Sequence, residues 1–149
     1  MRFVDWLETV PESMQQDSLW KMKVYRHALF AADVAWDDVS KLAKDARTRS
    51  LTDQLYRSVG SVSANIAEGY SRSSSKGRAR FYEYALGSAR EARDWYYKTR
   101  HVLGQKIVEQ RLALYKAIIQ LLLTMIPQQR RSNQTLREPG PTYHPWSRA

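Results

Sequence analysis

The stretch Ser50–Gly69, SLTDQLYRSVGSVSANIAEG, sets Leu51, Leu55, Val59, Val62 and Ile66 at intervals of four, four, three and four residues. An α-helix turns once in about 3.6 residues, so these five side chains share one face of a helix. Ser50-Leu51-Thr52-Asp53 resembles a capping box at its start, and Gly69 is placed to take the left-handed conformation that closes helices. The spacing therefore predicts a helix over 51–68. Its stripe alternates four and three, the repeat of helices packed at shallow angles in left-handed bundles.

Working outward, the next prolines are Pro11 on one side and Pro127 on the other, so residues 12–126 carry none. Proline breaks helix interiors, and its absence permits long helices throughout. Tyr25, Leu29, Ala32, Trp36, Val39 and Ala43 form a stripe on a helix over 17–44, with Asp17 as N-cap. Phe81, Ala85, Ser88, Ala92, Trp95, Thr99 and Val102 form another over 75–103. Ile107, Leu114, Ile118, Leu121 and Met125 form a fourth over 106–126, with Arg111 interrupting the seam and Pro127 ending the helix. The connections are short, so successive helices must be neighbours. The expected fold is all-α, an up-and-down antiparallel four-helix bundle over 17–127. Residues 1–16 read as an arm or short helix whose Phe3, Val4 and Leu7 cover one end. Residues 128–149 hold Pro139, Pro141 and Pro145 without periodicity and read as a disordered basic tail.

The chain has 149 residues, one domain's length, with 24 Lys and Arg against 15 Asp and Glu, a formal charge of +9. The charge is uneven: residues 1–45 hold six basic and eight acidic side chains, and all the net positive charge lies beyond them. A basic surface on the later helices calls for a polyanionic partner. With no Cys, disulfides and thiolate chemistry are excluded. No apolar run reaches the roughly 18 residues of a membrane span and the start lacks a signal peptide's apolar stretch, so no membrane association and a cytoplasmic location are expected. His27, His101 and His144 stand apart, none follows a Glu by three, and no phosphate-binding loop or nucleophile motif is present. No enzymatic activity, metal or cofactor is expected. Asp33, Asp37 and Asp38 read as a solvated acidic face rather than a Mg²⁺ site.

Two regions carry the functional reading. The turn from Gly69 to Arg80 places Arg72, Lys76, Arg78 and Arg80 at a helix N-terminus, where backbone N–H groups favour anions such as phosphate. Tyr82, Leu86, Arg90, Arg93, Tyr97 and Arg100 form a second stripe on the third helix, basic groups interleaved with aromatics, which suits nucleic acid or a subunit interface alike. The fourth helix has a second apolar set, Val108, Leu112, Tyr115, Ile119, Leu123 and Ile126, so that it is either the most buried helix or an oligomer interface. The second alternative is preferred, with Leu112, Tyr115, Ile119, Leu123 and Ile126 as the contact.

The helix ending in Asn65-Ile66-Ala67-Glu68-Gly69, the Ser/Arg/Lys turn and Phe81 followed by small residues resemble a bacterial four-helix bundle family over about 20–126. That family includes proteins encoded in intervening sequences of large-subunit ribosomal RNA and the accessory variability determinants of diversity-generating retroelements. The resemblance implies a barrel-like homopentamer without enzymatic activity, a basic surface for RNA or DNA and, in the retroelement branch, a reverse transcriptase as partner. Asn65, Glu68 and Gly69 are read as structural: Asn65 bonding free carbonyls at the helix end, Glu68 pairing with Arg72, Gly69 capping. The alternative is a protein-only adaptor whose basic face docks an acidic partner.

Overall fold

The computed structural model describes residues 1–135, and every regular element among them is helical. Short helices α1 (Phe3–Leu7) and α2 (Glu12–Gln15) and a 3-10 turn at Ser18–Lys21 lead into α3 (Lys23–Leu42). Then follow α4 (Thr52–Tyr70), α5 (Ser75–Lys98), the single turn α6 (Arg100–Leu103) and α7 (Gln105–Thr135). The four long helices enclose one core: α3 packs on α4, α4 on α5, α5 on α7, and α7 back on α3. Trp36 late in α3 meets Tyr56 early in α4, Gly69 late in α4 lies under Phe81 and Tyr82 early in α5, and Glu83 bonds Arg130 late in α7.

The α4 stripe is buried as its spacing requires: Leu55, Val59, Val62 and Ile66 are in the core, and Leu51 is half-buried. On α3 the core face is rotated from the expected stripe, which keeps Tyr25 in the core and Leu29, Ala32 and Val39 half-buried against it. Val24, Ala28, Ala31, Ala35, Asp38 and Leu42 point inward, whereas Trp36 is 63% exposed and Ala43 is exposed. Alanine on the inner face lets α3 approach its neighbours closely, and Leu29 and Ala32 lie beside that face beneath the N-terminal arm. That arm is pinned by Trp6, which is buried and donates from Nε1 to Asp33 at 2.6 Å, and by Phe3 against His27 and Phe30. The arm therefore covers a side of α3. Val4 stays exposed.

Helix boundaries differ from the sequence expectation where local chemistry intervenes. Asp17 does cap, but it caps the 3-10 turn, accepting from Leu19 N at 2.9 Å, and α3 begins only at Lys23. The Ser50–Asp53 pattern makes no side-chain cap; a 3-10 turn at Arg49–Leu51 feeds α4 directly. The third helix breaks at Thr99, whose hydroxyl donates to Tyr96 O at 2.8 Å, and the chain turns through α6 to Gly104, which sits at φ +88. Pro127 does not end the fourth helix, which runs through it to Thr135. Pro127 lies on the exposed side, and beyond it Gln129 accepts from Arg78 Nε at 2.9 Å while Arg130 donates to Glu83, so two side chains of α5 hold the continuation. Residues 128–135 are thus helix rather than tail; 136–149 lie outside the described residues.

Gly69 is no cap. It lies inside α4, among the described residues only Gly104 has positive φ, and a Cβ on Gly69 would stand 2.7 Å from Tyr82 Cε1 and 2.9 Å from Cδ1. Its role is to let the buried Tyr82 ring lie against the α4 backbone. Gly87 sits in open space within α5. We therefore expect Gly69→Ala to destabilise the fold by about 1–2 kcal/mol, overpacking outweighing the helix propensity gained, and Gly87→Ala to stabilise it by about 0.5–1 kcal/mol. Thermal or urea denaturation of the pair checks the sign of each.

Candidate nucleic-acid interface

The turn between α4 and α5 is held by its own basic residues. Ser74 accepts from Gly77 N at 3.0 Å and caps α5. Arg78, half-buried, donates from Nη1 to the carbonyls of Arg72 and Ser73, from Nη2 to Ser75 Oγ and from Nε to Gln129. All of its nitrogens are engaged, so Arg78 is a clamp that ties the turn to α7 rather than a free phosphate ligand. Arg72 pairs with Glu68 at 3.1 Å, as the sequence suggested, and lies over the Phe81 ring at 4.5 Å. Arg80 donates to Tyr84 Oη at 2.7 Å and stays exposed, as does Lys76. Asn65 donates to Ser61 O one turn back within α4, leaving the carbonyls at the helix end to the N–H groups of Ser71 and Arg72.

The second stripe on α5 divides. Tyr82 is in the core and leaves the set. Leu86, Arg90, Arg93 and Tyr97 follow one row along the edge that faces α7, the side on which Glu83 reaches Arg130. Arg90 and Arg93 are exposed, and no carboxylate pairs with either among the described residues. Tyr97 is 53% exposed, with the Arg100 guanidinium 4.1 Å from its ring centre and Arg100 Nη1 donating to Tyr97 O at 3.0 Å. Below them Val108, Glu109 and Leu112 of α7 line the other side of a cavity of about 470 Å³.

The proposed oligomer contact on α7 does not survive as a set. Tyr115, Ile119 and Ile126 are buried in this chain's own core together with Val108, Ile118 and Leu122. Leu112 is half-buried, and of the five only Leu123, at 46%, is exposed. The helix is apolar on two faces because it packs on both α3 and α5, the alternative that the sequence left second.

Asp38 is not part of a solvated face. It is 1% exposed and accepts from Tyr96 Oη at 2.7 Å, Arg111 Nε at 2.7 Å and Arg111 Nη2 at 3.2 Å. Arg111, which interrupts the α7 seam, does so to meet Asp38. Burial works against its charge, but the bonds to Asp38 outweigh it and raise its pKa. Burial, then the neighbouring Tyr115 and Asp38, push the Tyr96 hydroxyl well above 10, and burial does the same to Tyr115. A tyrosine whose folded pKa is raised stabilises the fold fully below its unfolded pKa of about 10, and that stability is lost as pH rises above it. An alkaline titration followed by tyrosinate absorbance should therefore show Tyr96 and Tyr115 ionising only as helicity is lost. Their ionisation with helicity intact would refute this.

Among the described residues no three His, Asp or Glu side chains gather as a metal site, and no helix is long and apolar enough to cross a membrane. No curated protein and no solved structure matches the chain. Residues 20–124 match the family model described as 23S rRNA-intervening sequence protein, a span from the foot of α3 through most of α7 that contains Asn65–Gly69 and the α5 row; the chain belongs to that family.

Proposed function

We propose that this chain is a non-enzymatic RNA-binding bundle that contacts phosphates through the edge of α5. The observation that carries this reading is the pair Arg90 and Arg93, exposed and without carboxylate partners among the described residues, in one row with Tyr97, over whose ring the Arg100 guanidinium lies. Two cations left unneutralised on a folded surface are placed to displace counterions from a nucleic-acid backbone, and Tyr97 supplies a stacking face. Lys76 and Arg80, exposed at the start of the same helix, extend the row toward the α4–α5 turn. Membership of the 23S rRNA-intervening sequence protein family supports RNA as the polyanion.

The bundle is proposed to run up and down, supported by the end-to-start contacts along α3, α4, α5 and α7. A homo-oligomer, five-membered by family resemblance, belongs to the same proposal. Its support within the chain is the exposed pair Trp36 and Tyr56, ring centres 6.1 Å apart on the α3–α4 side, rather than the α7 set. A retroelement accessory role would add a reverse transcriptase as partner.

The test is equilibrium binding of the full chain to structured RNA and to duplex DNA at several salt concentrations. The expected result is a log affinity that falls linearly with log salt, with RNA preferred. Weak, salt-independent binding to both would overturn the RNA reading and favour a protein partner for the basic edge.

A further inference from the structure

The cavity between Tyr97 and Arg100 on one side and α7 on the other holds one group that phosphate binding does not explain. Glu109 stands on its rim, in a chain of net charge +9 and next to the basic row, and no cation pairs with it among the described residues. A carboxylate there repels phosphate. It is held in place by Gln105, whose Nε2 donates to Glu109 Oε1 at 2.9 Å. Because a carboxylate can only accept, the Gln105 amide nitrogen must face it, and the second N–H of that amide remains for another acceptor.

We propose that this cavity receives an unpaired guanine of the bound RNA, an inference that rests on the RNA reading above. A volume of about 470 Å³ is in the range of small-molecule sites and exceeds a single base, leaving room for its sugar. Tyr97, with the Arg100 guanidinium 4.1 Å from its ring centre, and the guanidinium itself are the kinds of flat group on which unstacked bases settle. Val108 and Leu112 give the apolar lining. Guanine is the one base whose pairing edge offers two adjacent donors, N1–H and the 2-amino group, to the two oxygens of a carboxylate. Its O6 lies next to them, where the free N–H of Gln105 can reach. Adenine, cytosine and uracil each present at least one lone pair where Glu109 needs a donor. The carboxylate that weakens phosphate binding thus selects the base.

The break at Thr99 makes this site. Had α5 continued to 103 as one helix, Arg100 would lie further along its axis. The turn through α6 and Gly104 instead brings the start of α7 alongside Tyr97.

The experiment uses the full chain and hairpin RNAs of one stem whose uridine loops carry a single guanine, inosine or adenine. The guanine loop is expected to bind about tenfold tighter than the adenine loop, the lower range for a bidentate base contact, with inosine, which lacks the 2-amino group, between them. Glu109→Gln should collapse that order while leaving the salt dependence unchanged. Tyr97→Ala should weaken every loop hairpin about tenfold but not a blunt duplex, since stacking needs an unpaired base. Equal affinity for the three loops with a steep salt dependence would overturn the guanine site and leave phosphate binding standing. No binding of any RNA would overturn both.

Discussion

Asp38→Ala is expected to destabilise the protein by about 3–5 kcal/mol, the effect of removing one partner from a buried ion pair. Arg111 would keep its charge in a site only 16% exposed, and Tyr96 Oη, buried in the core, would lose its acceptor. Three helices meet at this carboxylate, α3 through Asp38, α5 through Tyr96 and α7 through Arg111, so the loss is not local to one of them. The pair itself need not be stabilising. Bringing two charges out of water costs about as much as their attraction returns, and an apolar replacement of both is often neutral. Asp38→Leu with Arg111→Leu together is therefore expected to recover most of the stability lost in the single variant. Urea denaturation of the two variants measures both terms. A loss below about 1 kcal/mol in Asp38→Ala would mean that water reaches Arg111 freely, against the burial of its partner.

The second large effect concerns binding. Arg90→Glu with Arg93→Glu should lower RNA affinity about 10- to 100-fold at moderate salt and flatten the slope of log affinity against log salt by about 1.5, the contribution of two phosphate contacts. Both side chains are exposed and unpaired among the described residues, so the melting temperature should hold, with stability within about 0.5 kcal/mol of the parent. Arg78 is left out of this variant for a structural reason. Reversing it would break four hydrogen bonds that fasten the α4–α5 turn and α7, and a loss of binding would then report unfolding. Unchanged affinity in the double variant would remove the α5 edge from the interface.

How far the site could be read from the sequence depends on how local each feature is. That Arg90, Arg93 and Tyr97 share one edge was legible because helical spacing alone puts them in register, whereas Arg100 lies beyond the break at Thr99 and reaches Tyr97 through the turn into α6. Glu68 with Arg72 was legible because the two are one turn apart. Arg78 was misread: as a basic residue at a helix start it looks like an anion ligand, and only Gln129, 51 residues later, shows where its guanidinium is used. Tyr82 was misread because it lies beside the apolar seam, and the glycine that admits it to the core is on another helix. The cavity beside Glu109 had no sequence signal, since it depends on a helix break at Thr99 that carries neither glycine nor proline.

The four long helices could be read from the sequence, because hydrophobic periodicity is a property of each segment alone, but the break at Thr99 could not. The sequence also determined the sign and the location of the charge. Which face is buried could be read from spacing for α4, but on α3 it was settled by packing. On α3 two stripes compete, and the alanine-rich one faces the core because it permits close packing, while Leu29 and Ala32 of the other find cover under the arm and Trp36 is left exposed against Tyr56. Only the tertiary structure brought Asp38 to Arg111 across 73 residues, turning two polar interruptions into one satisfied contact. And only the tertiary structure carried α7 past Pro127, because bonds from Arg78 and Glu83 on α5 offset the hydrogen bond that proline cannot make.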